Sequence, residues 1–226
     1  MFTCFTLVVE QKERFSMLTV NEISAENKVS FRGWSRTEKG TPYYKTQKGA
    51  IAGGIMAVPA FLSFALKDKG LDFNKKHGVD PKTIKILEEQ AANIGKNDKL
   101  YGAIAGVMTL GCGLIVDYFR NKKAADAADY TKKVGIKNAL RYGDRISISD
   151  NQRTYYESNI GSKYGWLLGA ACGIANTIMR NGSGKNLPKG FYFVSTIVNV
   201  AAYSLGGWIM GKITDSLTNS SAEKNS

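Results

Sequence analysis

Gly49-Ala50-Ile51-Ala52-Gly53-Gly54-Ile55-Met56-Ala57-Val58-Pro59-Ala60-Phe61-Leu62-Ser63-Phe64-Ala65-Leu66 contains no Asp, Glu, Lys, Arg or His. It is close to the ~20 apolar residues that an α-helix needs to cross a ~30 Å hydrocarbon layer. Three more stretches share its character, at 100–116, 164–179 and 190–211. Together they predict an all-α membrane protein of four glycine-rich transmembrane helices, arranged as two helical hairpins with short amphipathic or soluble helices in the loops. The expected organisation is a polar, mostly extended N-terminal tail over 1–48, a four-helix membrane domain over 49–211 and a disordered polar tail over 212–226. The stretch at 164–179 is the shortest of the four.

The mean hydropathy of the whole chain is −0.22, low for such a protein, because the segments between the apolar blocks are very polar. Apolar character gathered into blocks differs from the shorter amphipathic elements of a soluble domain. The net charge of +12 raises nucleic-acid binding as a possibility. A nucleic-acid binder concentrates its cations on one face or stripe. Here the 31 Lys and Arg are spread over every polar connection, which fits attraction to anionic lipid better.

Small residues recur at intervals of four: Gly49 with Gly53, Gly102 with Gly106, Gly165 with Gly169 and Gly173, Ala202 with Gly206, and Gly207 with Gly211. Residues four apart share a helix face, so these glycines form strips on which a second backbone can approach closely. They are the expected helix-packing residues of a glycine zipper. Asn176 and Asn199 are expected to pair across the third and fourth helices. Tyr43, Tyr44, Tyr101, Tyr164, Phe191, Tyr192 and Trp208 mark the block edges, where amphipathic rings favour the headgroup level.

Gly49-Ala50-Ile51-Ala52-Gly53 recurs as Gly102-Ala103-Ile104-Ala105-Gly106, and Tyr43-Tyr44 with Gly49 is echoed by Tyr155-Tyr156 with Gly161. Duplication of a helical hairpin explains both echoes, and convergence on common small residues is the alternative. The run Gly49 to Gly54, within a four-span plan, is similar to the channel-like subunits of mitochondrial protein translocases. That similarity covers about six residues of low complexity, and no functional residue is carried across from it.

In the polar connections, Asp80 and Pro81 open a predicted helix with Ile84, Leu87, Ala91 and Ile94 on one face, expected to cover the ends of the membrane helices. The second block continues without a breaker to about Arg141 as one long helix, or as two broken near Gly135. Ile146 and Ile148 alternate with Ser147 and Ser149 as a short strand. Residues 17–48 are expected to dock through Phe31 and Trp34, and Met1 to Ser16 reads as a candidate upstream extension ahead of Met17.

No chemistry is legible. Cys4, Cys112 and Cys172 have no metal-ligand spacing, and His77 is the sole histidine. Gly182-Ser183-Gly184-Lys185 resembles the end of a phosphate-binding loop, but Met179 stands where its first glycine belongs and Asn186 replaces the required Ser or Thr. The expectation is therefore no enzyme, no catalytic or metal site, no cofactor, no nucleic acid and no identifiable small-molecule substrate. The expected partner is the lipid bilayer, with a homo-oligomer left open. The expected function is that of a non-enzymatic, multi-pass membrane protein with a structural or assembly role, packing through glycine-zipper helix faces, with a channel or transporter subunit and a soluble or membrane-surface helical adaptor as alternatives. Twenty basic residues fall on the side of both termini and eleven on the other, which predicts cytoplasmic termini.

Overall fold

A computed structural model describes residues 33–142, 145–149, 154–182, 188 and 190–225. Phe31, the upstream extension and the run Ser183 to Asn186 lie outside these residues. The chain is predominantly helical. In order it comprises β1 (Gly33–Arg36), β2 (Pro42–Lys45), α1 (Lys48–Ala65), α2 (Lys67–Lys76), α3 (Pro81–Ile94), a 3-10 turn (Gly95–Asn97), α4 (Asp98–Val134), α5 (Ile136–Tyr142), β3 (Ile146–Ile148), β4 (Thr154–Tyr156), α6 (Ile160–Asn181) and α7 (Phe191–Asn225).

Three helical runs are long and apolar enough to cross a membrane: Lys48–Ala65, Pro81–Val134 and Phe191–Asn225. Four were expected. Helix α6 is 22 residues long, but Lys163, Asn176, Thr177, Arg180 and Asn181 dilute its apolar character. The expected disordered tail at 212–226 is also corrected, because α7 continues unbroken to Asn225. No proline or glycine stops it after Gly211, and Asp215 and Thr218 are buried against other elements.

The helices associate as two antiparallel pairs, α1 with α4 and α6 with α7. In the first, Gly49 faces Gly113, Gly53 faces Thr109, Gly106 faces Ala57 and Gly102 faces Phe61. In the second, Gly161 faces Gly211, Gly165 faces Gly207, Gly169 faces Tyr203 and Gly173 faces Asn199. A Cβ built on Gly49 would stand 2.6 Å from the Gly113 carbonyl oxygen, and one on Gly53 would stand 2.7 Å from that of Thr109. Such separations exclude any side chain. What they admit is close backbone approach, with dispersion and Cα–H···O contacts along the seam.

Two short antiparallel β-hairpins sit at one end of the pairs: β1 with β2, and β3 with β4. The expected extended tail up to residue 48 is corrected for its described part. Gly33 to Lys45 folds back on itself, Trp34 pairing with Tyr44 across the strands, and the Trp34 indole N–H donates to the Asn225 carbonyl at 2.9 Å. The Thr37 hydroxyl donates to Asp129 Oδ1 at 2.7 Å and holds that carboxyl below its ordinary range. The opposite end is covered by α3, whose start is built as the sequence predicts, with Pro81 in the first turn and Asp80 Oδ2 accepting from the Thr83 amide at 3.2 Å. Its Gln90 and Asn93 donate to Asn181 at 2.8 and 3.2 Å, sealing the end of α6. Gly135 at φ +81° separates α4 from α5, a left-handed conformation that glycine adopts without a Cβ penalty.

Gly165→Ala places a methyl group against the Gly207 carbonyl and is expected to cost about 1–3 kcal/mol by overpacking. Gly206→Ala, next to Gly207 in sequence but with nothing within 4 Å of its built Cβ, is expected to leave stability within about 0.5 kcal/mol. Thermal unfolding of both variants in the same detergent checks the contrast.

Candidate functional site

The two pairs meet at a buried charged cluster that the block boundaries of the sequence hide. Helix α1 begins at Lys48 and α6 at Ile160, and neither has a side-chain cap from its own N-cap residue. Each instead takes a carboxylate from the partner helix. Asp117 of α4 accepts from the Gly49 and Ala50 amides at 2.9 and 2.7 Å. Asp215 of α7 accepts from the Gly161 and Ser162 amides at 2.9 and 2.8 Å. The absence of a side chain at Gly49 and Gly161 is what lets the carboxylates reach in, since a Cβ would stand 2.8 and 3.0 Å from their Oδ1 atoms.

Arg120 joins the two. Its Nη1 donates to Asp117 Oδ1 and its Nη2 to Asp215 Oδ1, both at 2.9 Å. Nη2 also reaches Thr214 Oγ1, and Nε reaches Ser158 Oγ, each at 3.1 Å. The residue is 1 % exposed. Two carboxylates and one guanidinium leave a net charge of −1, and the two helix N-termini supply about +0.5 each. The cluster is thus close to neutral as a unit, the condition under which buried charge is tolerated.

The surroundings repeat in detail. Thr46 exchanges two hydrogen bonds with the Asn121 side chain, at 2.9 and 3.0 Å. Ser158 does the same with Asn219, at 2.7 and 3.0 Å. The Thr46 hydroxyl accepts from the Lys48 amide and that of Ser158 from the Ile160 amide, at 3.3 and 3.2 Å. These correspond to a repeat in sequence: Gly113-Leu114-Ile115-Val116-Asp117 ending in Asn121, and Gly211-Lys212-Ile213-Thr214-Asp215 ending in Asn219. The echo of Tyr43-Tyr44 and Gly49 in Tyr155-Tyr156 and Gly161 belongs to the same repeat, with β2 and β4 in equivalent places. The Gly49–Gly53 and Gly102–Gly106 recurrence does not, since those residues lie on α1 and α4 of one pair. The repeat is broken at one position: Arg120 corresponds to Thr218, whose hydroxyl lies 3.4 Å from that of Thr46.

Above the cluster, between the pairs, lies an apolar cleft of about 430 Å³ ringed by α1, α4, α6 and α7. Val116 and Thr214 line the end next to the cluster, and Ser63 the other end. Cys112 of α4 and Cys172 of α6 face each other across it, Sγ to Sγ at 3.7 Å. Of the glycines expected to pack, Gly49, Gly53, Gly102, Gly106, Gly165, Gly169, Gly173, Gly207 and Gly211 each face the partner helix, while Gly206 lines the cleft and touches nothing. Gly113 and Gly161 are additional contact glycines. The expected Asn176–Asn199 pair is corrected. Asn199 donates to Thr177 Oγ1 at 3.1 Å and Asn176 accepts from Arg180 Nε at 3.0 Å, because adjacent positions on a helix point about 100° apart.

Asp117, Arg120 and Asp215 lie just beyond the apolar blocks, at 100–116 and 190–211, and this is why sequence reasoning missed them. The repeated G-x-I-x-D-x-x-x-N spacing is the signal that would have found them. Among the described residues, no group of three His, Cys, Asp or Glu side chains is placed to hold a metal ion. His77 lies apart, its ring stacked on Phe73 at 3.9 Å. No protein-family model matches the chain, and no curated protein or solved structure does so either.

Arg120→Met leaves two carboxylates buried without their shared cation and is expected to destabilise by about 3–5 kcal/mol. Adding Asp215→Asn should recover part of that loss, a non-additivity that thermal unfolding of the single and double variants measures. In a Cys4→Ser chain, diamide is expected to join Cys112 to Cys172, the two thiols losing two protons and two electrons to the reagent. A reducible mobility shift on gels, absent in Cys172→Ala, reads the proximity of the two pairs.

Proposed function

We propose that the chain is a non-enzymatic, four-crossing integral membrane protein, a structural or assembly component held together by glycine-zipper faces. The supporting observation is an inverted distribution of polarity. Among the described residues, seven hydrophobic side chains are buried against thirteen polar or charged ones. In a soluble domain Ile, Val, Leu and Phe dominate the buried set. Here large apolar side chains point outward on every long helix: Ile55 on α1, Val107 on α4, Leu167 on α6 and Phe193 on α7 are 64, 69, 51 and 70 % exposed. A hydrocarbon surround removes this surface from water, whereas an aqueous one leaves a continuous apolar belt exposed.

The fourth crossing rests on α6. Its outer side carries Trp166, Leu167, Ile174 and Ile178, and its cations Lys163 and Arg180 stand near its two ends, where long basic side chains extend toward headgroups. Both β-hairpins and the end of α7 share one end of the bundle, and the excess of basic residues on that side favours the cytoplasm. The charged cluster closes the cleft toward that end, which weighs against a continuous conducting path. The polar groups of the charged cluster are satisfied by one another, an arrangement suited to holding helices rather than to turning over a substrate.

Alkaline carbonate extraction of the membrane fraction tests this. The chain is expected to stay in the pellet with integral proteins, and its release into the wash sinks the four-crossing proposal.

A further inference from the structure

We propose that the chain binds an anionic lipid, its phosphate held by Arg180 and one acyl chain lying in the cleft between the helix pairs. This rests on the membrane reading above. Arg180 stands in the last turn of α6, half-buried, and its partners among the described residues are neutral. Its Nε donates to Asn176 Oδ1 at 3.0 Å, its Nη2 to the Ser63 carbonyl at 3.2 Å, and its guanidinium lies 4.7 Å over the Phe64 ring. Among the described residues no carboxylate pairs with it. The contrast with Arg120, which has two, is direct. A guanidinium carries five N–H donors in a planar fork that suits phosphate, and its two hydrogen bonds to the described residues leave three donors for a ligand.

The space around Arg180 has the shape of an amphiphile. Arg180 lines a cavity of about 300 Å³ walled by Leu62, Leu66, Leu87 and Ile94. Lys67 also lines it but is already paired with Asp68 and Asp98, at 3.1 and 3.6 Å. Ser63 lines both this cavity and the apolar cleft, so a headgroup beside Arg180 places its chain at the mouth of the cleft. The position is near the C-terminal ends of α1 and α6, where a headgroup belongs. A soluble phosphate compound would satisfy the cation and leave the cleft unfilled, whereas a lipid satisfies both.

The test uses the full chain in neutral detergent, titrated by native mass spectrometry with phosphatidylglycerol and with phosphatidylcholine of the same acyl chains. Wild type is expected to hold the anionic lipid about fivefold more tightly, the effect of one cation near an anionic headgroup. Arg180→Gln should bring the ratio close to one, and Arg180→Lys, which keeps the charge without the fork, should give an intermediate value. Gly206→Leu, placed where a side chain meets no atom within 4 Å, should fill the cleft and weaken both lipids alike. Glycerol 3-phosphate should not displace either lipid. Equal binding of the two lipids by wild type, an unchanged ratio in Arg180→Gln, no effect of Gly206→Leu, or displacement by glycerol 3-phosphate each overturns the proposal. A chain retained in carbonate without anionic preference overturns this proposal alone, while a chain released by carbonate overturns the membrane reading first.

Discussion

The Arg120 side chain bonds both halves of the buried cluster, and much of the fold is arranged around its burial. A guanidinium out of water needs opposite charge and complete hydrogen bonding. Asp117 and Asp215 supply the charge, and Ser158 and Thr214 supply further acceptors. The carboxylates are in turn held by the first amides of α1 and α6, which lack caps of their own. One ion cluster therefore fixes the start of two helices, the register of each helix against its partner and the approach of one pair to the other. Glycine at positions 49 and 161 is a requirement of that geometry, since a side chain would occupy the place of the carboxylate.

The glycine seams fit the constraint that the proposed membrane setting would impose. Where hydrocarbon surrounds a bundle, lipid tails solvate apolar side chains as well as a neighbouring helix does, so burial of apolar surface no longer drives association. Close backbone contact then becomes the means of holding helices together. The same packing leaves little side-chain volume on the inner faces, and the cleft between the pairs is the result. Many large apolar residues point outward, and the cleft surface is rich in glycine, alanine and the two facing cysteines, with Met56, Leu168, Tyr203 and Met210 among its few large side chains.

Internal repetition joins these features. Each half consists of a β-hairpin, a helix with glycine in its first turn, and a partner helix carrying the carboxylate that caps it. An arginine in one half and a threonine at the corresponding place in the other make the assembly asymmetric. Two arginines would bring two guanidiniums into one cluster of two carboxylates, in which the helix N-termini already contribute positive potential. One arginine leaves the cluster close to neutral.

The sequence by itself determined the helical character, the glycine intervals and the Asp80–Pro81 helix start, because these depend on local periodicity and capping, and it offered the break near Gly135 as one of two readings. It also contained the echo of Tyr43-Tyr44 in Tyr155-Tyr156, without indicating which helices that echo relates. Only the tertiary structure decided that Asp117 and Asp215 cap helices 68 and 54 residues away from them, that Gly206 faces a cleft while Gly207 faces a backbone, and that Asn176 and Asn199 take different partners. Local pattern gives a residue its face on a helix. What that face meets depends on contacts between distant segments, and a charge beyond the end of an apolar block looks solvent-facing until the partner helix arrives to bury it.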